Sequence, residues 1–197
     1  MGRWEPNARG RLAQAAIELY GERGFDRTTV AEIAARAGLT ERTFFRHYSD
    51  KREVLFAGSE AMAERLVAAV AAAPGSAPPL ATVAVALEEV GAAIQESRGR
   101  DFARARRSII VSNPELQERE LIKLASWAGT LAGALRDRGV DETTATLAAQ
   151  TGVAVFHVAF GRWVSNDDEL DLPALIRDSL TILSALTAAV DQSAAVA

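Results

Sequence analysis

Residues 40–48 read Thr40-Glu41-Arg42-Thr43-Phe44-Phe45-Arg46-His47-Tyr48. At helical spacing Phe44, with Tyr48 beyond it, turns inward and leaves Thr40, Glu41, Arg42, Thr43, Arg46 and His47 facing outward. These are hydrogen-bonding side chains. An arginine can grip guanine in bidentate fashion and hydroxyls can reach phosphate, while a glutamate opposes phosphate but could accept from cytosine N4. The chemistry on offer is recognition rather than bond-breaking. No Gly-x-Ser-x-Gly setting, phosphate loop or dinucleotide fingerprint occurs in the chain.

The elements that hold this face lie just upstream. Thr29 and Glu32 have the spacing of a capping box, which starts a short helix with Val30, Ile33, Ala34 and Ala37 on one side. Gly38 supplies the freedom for a tight turn, Leu39 plugs the space between two helices, and Thr40 caps the second. Two short helices so joined form a helix-turn-helix, whose second member lies in a DNA major groove. A capped amphipathic hairpin buried in a core would show the same pattern, so both readings stand at this point.

The rest of the chain is helical in character, rich in Ala, Leu, Glu and Arg, with almost no strand signal. The pattern predicts an all-α fold of about nine helices, near 7–23, 29–36, 40–46, 50–72, 80–97, 100–112, 114–138, 142–164 and 172–190. Asn113-Pro114 and Asp141 supply caps, Gly139 a left-handed helix stop, and Asp50 with Glu53 a second capping-box spacing. Residues 73–79 form a proline-rich loop, and the Ala-rich tail after Val190 reads as disordered.

At 197 residues the chain can hold two small domains, and it has no cysteine, which excludes disulfides and thiolate chemistry and agrees with a cytoplasmic location. With two histidines and no acidic cluster at ligand spacing, neither a metal nor a cofactor is expected. Residues 1–6 lack the apolar run of a secretory leader, and no uninterrupted apolar stretch is long enough for a bilayer. The net charge of −4 argues at first against a polyanionic partner, but residues 1–56 carry ten Lys/Arg against eight Asp/Glu, and the remainder twelve against eighteen. Only the N-terminal part suits phosphate.

Residues 9–56 resemble the DNA-binding domain of the tetracycline-repressor (TetR) family. The likeness runs through Ala16-Ile17-Glu18-Leu19-Tyr20-Gly21-Glu22-Arg23-Gly24-Phe25, Thr28-Thr29, Ile33-Ala34, Ala37-Gly38-Leu39, Thr43-Phe44-Phe45-Arg46-His47-Tyr48 and Asp50-Lys51. The resemblance implies a DNA-binding domain at 1–56 and a helical effector-binding and dimerisation domain at 57–197. It implies a repressor that binds a palindromic operator as a homodimer and is released by a small molecule. By position, Thr29 would touch phosphate, Thr40, Arg42 and Thr43 would line the groove, His47 would approach the backbone, and Lys51 would neutralise a phosphate. Arg42 is the expected base reader, and Glu41 has an open role. Phe45 departs from the family's phosphate-contacting tyrosine; it can stack or touch a thymine methyl but cannot donate a hydrogen bond.

Beyond residue 72 the resemblance fades. Segment 142–164 is apolar on more than one face, through Leu147, Val153, Val155, Phe156, Val158, Phe160 and Val164. Segment 172–190 carries a stripe of Leu172, Leu175, Ile176, Ser179, Ile182, Leu183, Leu186 and Val190. These read either as ordinary core or as a four-helix dimer seam. Trp127, Phe156, His157, Phe160 and Trp163 could line an effector pocket, with Arg104 and Arg107 as anion anchors. Equally, the aromatics could be packing residues, and Arg104-Ala105-Arg106-Arg107 a salt-bridged face near Glu115, Glu118 and Glu120. A helical interaction module that no longer binds DNA is the main rival function.

Overall fold

The computed structural model describes residues 7–166 and 170–194, apart from the side chains of Arg98 and residues 189–194. Residues 1–6, read above for a leader, lie outside the described residues, as does the side chain of Val190. Among the described residues are eight α-helices, one short 3-10 helix and no strand. The helices are α1 (Ala8–Arg23), α2 (Val30–Arg36), α3 (Glu41–His47), α4 (Ser59–Ala72), α5 (Pro79–Val111), α6 (Pro114–Asp137), α7 (Glu142–Ser165) and α8 (Leu172–Ala194), and the 3-10 helix spans Glu53–Phe56.

Several boundaries follow the expected chemistry. The Thr29–Glu32 capping box closes in both directions, Thr40 and Asp141 accept from the amides of Thr43 and Thr144, and Gly139 takes φ 87° after α6. Three expectations change and one holds. The helix predicted over 50–72 is broken: Asp50 caps the 3-10 turn, and Gly58 at φ 93° separates it from α4. The break expected between 80–97 and 100–112 falls at Gly99, where φ 75° and ψ 175° are non-helical and divide α5 into two helical stretches. Asn113 turns its amide back to the Ile109 carbonyl, 2.6 Å, closing α5 rather than opening α6. The helix α8 continues past Val190 to Ala194, where the sequence suggested disorder.

The chain forms two compact units. The first comprises the residues up to Ser59 together with Phe102–Leu121. Its core joins Leu12, Leu19, Tyr20, Phe25, Ile33, Phe44, Tyr48 and Val54–Phe56 with Ile109, Ile110 and Leu116. A single cut between 56 and 57 therefore does not describe the packing, because the end of α5 and the start of α6 supply apolar side chains to the N-terminal core. Arg106 from this segment donates to the Leu55 carbonyl (2.6 Å) and to Glu120 (2.9 Å), and Arg119 pairs with Glu53.

The second unit holds Glu60–Asp101 and the chain from Ile122 onward. Here α7 lies close to α5 because Gly152 has no side chain; a Cβ there would sit 2.2 Å from Val83 Cγ1. Leu172, Leu175 and Ile176 of α8 are buried, whereas Ile182 and Leu186 on the same helix are 55% and 63% exposed. Arg138 donates to the Val70 carbonyl in the last turn of α4 and to the Ala73 and Pro74 carbonyls just beyond it, at 2.6–2.8 Å. Among the described residues no helix is long and apolar enough to cross a membrane.

Candidate nucleic-acid interface

The turn between α2 and α3 is built from backbone. Gly38 at φ 66° lets the Gly38 and Leu39 amides reach the Ala35 and Ala34 carbonyls, 2.9 and 2.8 Å. Arg11 from α1 donates to the carbonyls of Ala37 and Gly38, pinning the turn to the first helix. Phe44 is fully buried and Tyr48 nearly so, with rings 5.6 Å apart, and the Tyr48 hydroxyl donates to the Arg9 carbonyl at 3.1 Å. These contacts fix the rotation of α3 and so decide which side chains face out.

On the outward side Thr40, Glu41, Arg42, Phe45 and Arg46 are exposed, and Thr43 and His47 are half-buried. The Thr40 and Thr43 hydroxyls lie 3.1 Å apart at the start of the helix. The side chains of Glu41, Arg42 and Arg46 make no hydrogen bond or ion pair with any described residue. Several other cations of this unit are engaged: Arg36 grips Glu22 through two bonds of 2.8 and 2.9 Å, Arg23 meets Glu32 at 2.7 Å, and Arg52 meets Glu115 at 3.3 Å. The pairing pushes the Arg36 pKa upward and holds the Glu22 carboxyl below its ordinary value. Arg42 and Arg46, one helical turn apart, keep their guanidinium donors available. Sequence reasoning named Arg42 as a reader and only noted that Arg46 faces out; the shared face at i and i+4 marks both.

The expected phosphate-contacting residues divide. Thr29 is exposed at the start of α2, where its hydroxyl accepts from the Glu32 amide and donates to the Glu32 carboxylate, 3.3 and 2.9 Å. Phe45 stands 55% exposed, its ring 5.5 Å from that of Phe44. The Nε2 of His47 is buried without a hydrogen-bond partner among the described residues, and burial, with Arg46 and Arg9 nearby, holds its pKa below the ordinary value. The Lys51 ammonium donates to the carbonyls of Phe25, Asp26 and Thr28 at 2.8, 3.2 and 3.0 Å.

In the second unit Trp127, Phe156, Phe160 and Trp163 form a continuous row, with successive ring centroids 5.4, 5.9 and 5.8 Å apart. Arg100 lies over the Trp163 ring at 5.9 Å, a neighbour that sequence reasoning missed. His157, expected among these rings, is exposed on a different face of α7 beside Val158. The reason is its position, about 100° around the helix from Phe156. Arg104 and Arg107 belong to the first unit and so are not assembled with the aromatic row inside one unit.

A buried-backed helix that presents hydroxyls and two unpaired guanidiniums, preceded by a capped helix and a glycine turn, defines a helix-turn-helix DNA-binding protein. Residues 12–57 match the family described as "Bacterial regulatory proteins, tetR family", and residues 77–188 match the "MftR C-terminal domain" of the TetR C-terminal group. The chain belongs to the TetR family of bacterial transcriptional regulators. It is 31% identical over 175 residues to the HTH-type transcriptional regulator TcmR of Streptomyces glaucescens, covering 85% of this chain and 77% of that one. It is 25% identical over 181 residues to the HTH-type transcriptional activator FasR of Mycolicibacterium smegmatis, covering 87% and 79%. The solved structure of FadR from Bacillus subtilis in complex with stearoyl-CoA superposes with a TM-score of 0.59 at 22% identity, covering 88% of this chain and 96% of that one. That likeness concerns the fold.

Proposed function

We propose that this TetR-family regulator represses transcription as a homodimer that binds a palindromic operator and is released from it by a small molecule. The reading rests above all on the exposed face of α3, where the Arg42 and Arg46 side chains have no partner among the described residues while Phe44 anchors the opposite side. Arg42 reads base edges, Arg46 takes a phosphate, and Thr29, Thr40, Thr43 and His47 approach the backbone around them. Phe45 offers its ring to a thymine methyl, and Glu41 tunes the choice of base. In functional terms residues 1–56 read DNA and residues 57–197 bind effector and dimerise, in the cytoplasm.

Leu147 and Val158 on α7 and Ile182 and Leu186 on α8 support the dimer, since each is more than half exposed. Large apolar side chains left in water on two adjacent helices favour a second copy that would bury them. A pair of subunits also reads two half-sites about 34–36 Å apart, which gives selectivity that one short helix lacks. The aromatic row from Trp127 to Trp163 favours an effector with an extended apolar part, in keeping with a relative of this fold that binds stearoyl-CoA. His157 contributes from the dimer face rather than from the row.

The test is selection of bound duplexes from random DNA, followed by transcription from a promoter that carries the selected site. Repression that an apolar acyl thioester relieves agrees with the proposal. Stimulated transcription would favour the second reading, activation, which the relatedness to an activator supports.

A further inference from the structure

Lysine is rare in this chain. Of its 22 basic residues only Lys51 and Lys123 are lysines, so arginine serves almost everywhere a surface cation is wanted. At position 51 the two are not interchangeable. Three carbonyls of one loop converge on the Lys51 Nζ, those of Phe25, Asp26 and Thr28, at 2.8, 3.2 and 3.0 Å. An ammonium has three N–H donors, and three acceptors use them all. The Phe25 ring centroid lies 4.4 Å from the same nitrogen, adding a cation–π contact. The Tyr20 hydroxyl holds the Lys51 carbonyl at 2.6 Å, and the Tyr20 ring meets Phe25 edge-on at 5.2 Å. Tyr20, Phe25 and Thr28 are each at most 3% exposed. A compact, tetrahedral charge fits this cage; a planar guanidinium does not.

We propose that Lys51 is a positioning residue for DNA recognition, an internal cation that holds the Phe25–Thr28 loop rather than a contact to phosphate. The loop runs directly into Thr29, the cap of α2. Fixing its three carbonyls therefore fixes where the Thr29 hydroxyl and the first turn of α2 stand. A phosphate could claim the ammonium only by breaking bonds of a charge-assisted kind. The inference rests on the DNA-binding role proposed above, and its tests separate the two.

In the free protein, acetylation followed by mass spectrometry reads the cage without DNA: Lys51 should react many times more slowly than the same residue in the urea-unfolded chain. Equal rates would overturn the proposal even if DNA binding were secure. With a selected duplex, Lys51→Met, assayed where the variant is fully folded, should weaken binding about five- to thirtyfold. The slope of log K against log salt should stay at the wild-type value, and Lys51→Arg should not restore affinity. A slope reduced by about 0.9 for each subunit would make Lys51 a phosphate contact and overturn the proposal. Adding Thr29→Ala to Lys51→Met should cost far less than the sum of the two single changes, because both remove the same contact. Additive losses, or a folded variant with unchanged affinity, would reduce Lys51 to a purely structural role and equally overturn the proposal. Absence of any duplex preference in the wild-type protein would instead remove the DNA-binding reading, and the acetylation result would still decide the cage.

Discussion

Arg42 could be picked out from its position alone, because a helix backed by Phe44 and Tyr48 leaves few places for its side chain to go. Arg42→Ala is expected to lose about 1–3 kcal/mol of discrimination between the operator and a scrambled duplex, with little change on random DNA. Fluorescence anisotropy on both duplexes checks this, and equal losses would mean that Arg42 reads no base. Lys51 was less legible. Its partners are backbone carbonyls some 25 residues away, and main-chain acceptors leave no trace in side-chain pattern. His47 lies between these cases, visible as a polar group but not as one whose Nε2 is buried. Its pKa is lowered, chiefly by burial, so the unfolded chain takes up a proton before the folded one does. The stability contributed by neutral His47 is complete above the ordinary value of 6.5 and drains away as pH falls through it toward the folded value. Urea melts at about pH 8 and about pH 5.5 should show a larger loss for the wild type than for His47→Gln. Carboxylates such as Glu22 and Glu32, whose pKa values are lowered, weaken both proteins alike at acid pH, so the difference between the two melts isolates the histidine.

Helices with side-chain caps were readable because a cap is local: Thr29, Thr40 and Asp141 each sit three residues before the amide they accept from. The break at Gly58 was not, since a lone glycine inside an apolar-periodic run costs a helix only about 1 kcal/mol and is often tolerated. What decides it is the tertiary setting, where Val54, Leu55 and Phe56 are drawn into the N-terminal core and the chain must turn before α4 can begin. Close helix approach was equally hidden. Gly152 looks like a weak point in α7, yet it marks where α5 comes nearest. Gly152→Ala should therefore destabilise the protein by about 1–3 kcal/mol through overpacking, although alanine is the better helix former. Thermal or denaturant unfolding measures this, and adding Val83→Ala should return part of the loss. A stabilised Gly152→Ala protein would show that Val83 moves aside freely.

The all-helical architecture followed from composition and period. The partition of the chain did not, because residues 102–121 join the N-terminal core across a long gap in sequence, through Ile109, Ile110 and Leu116. The apolar stripe on α8 was legible as a stripe, but not as one buried at Leu172–Ile176 and exposed from Ile182. The exposed part of that stripe is the surface that the proposed dimer would bury. Leu186→Glu should yield monomers in light scattering with the fold intact by circular dichroism, and with operator binding weakened because half-sites are then read singly. A dimer of unchanged mass would place the seam elsewhere. The proposed recognition depends on α3 meeting DNA with Arg42 and Arg46 outward. The most direct measurement is the salt dependence of binding to a duplex selected by the protein, for wild type and for Arg46→Ala. The expected result is a steep linear fall of log K with log salt, its slope reduced by about 0.9 for each subunit in the variant. No preference for any duplex at low salt, or identical slopes for the two proteins, would contradict it.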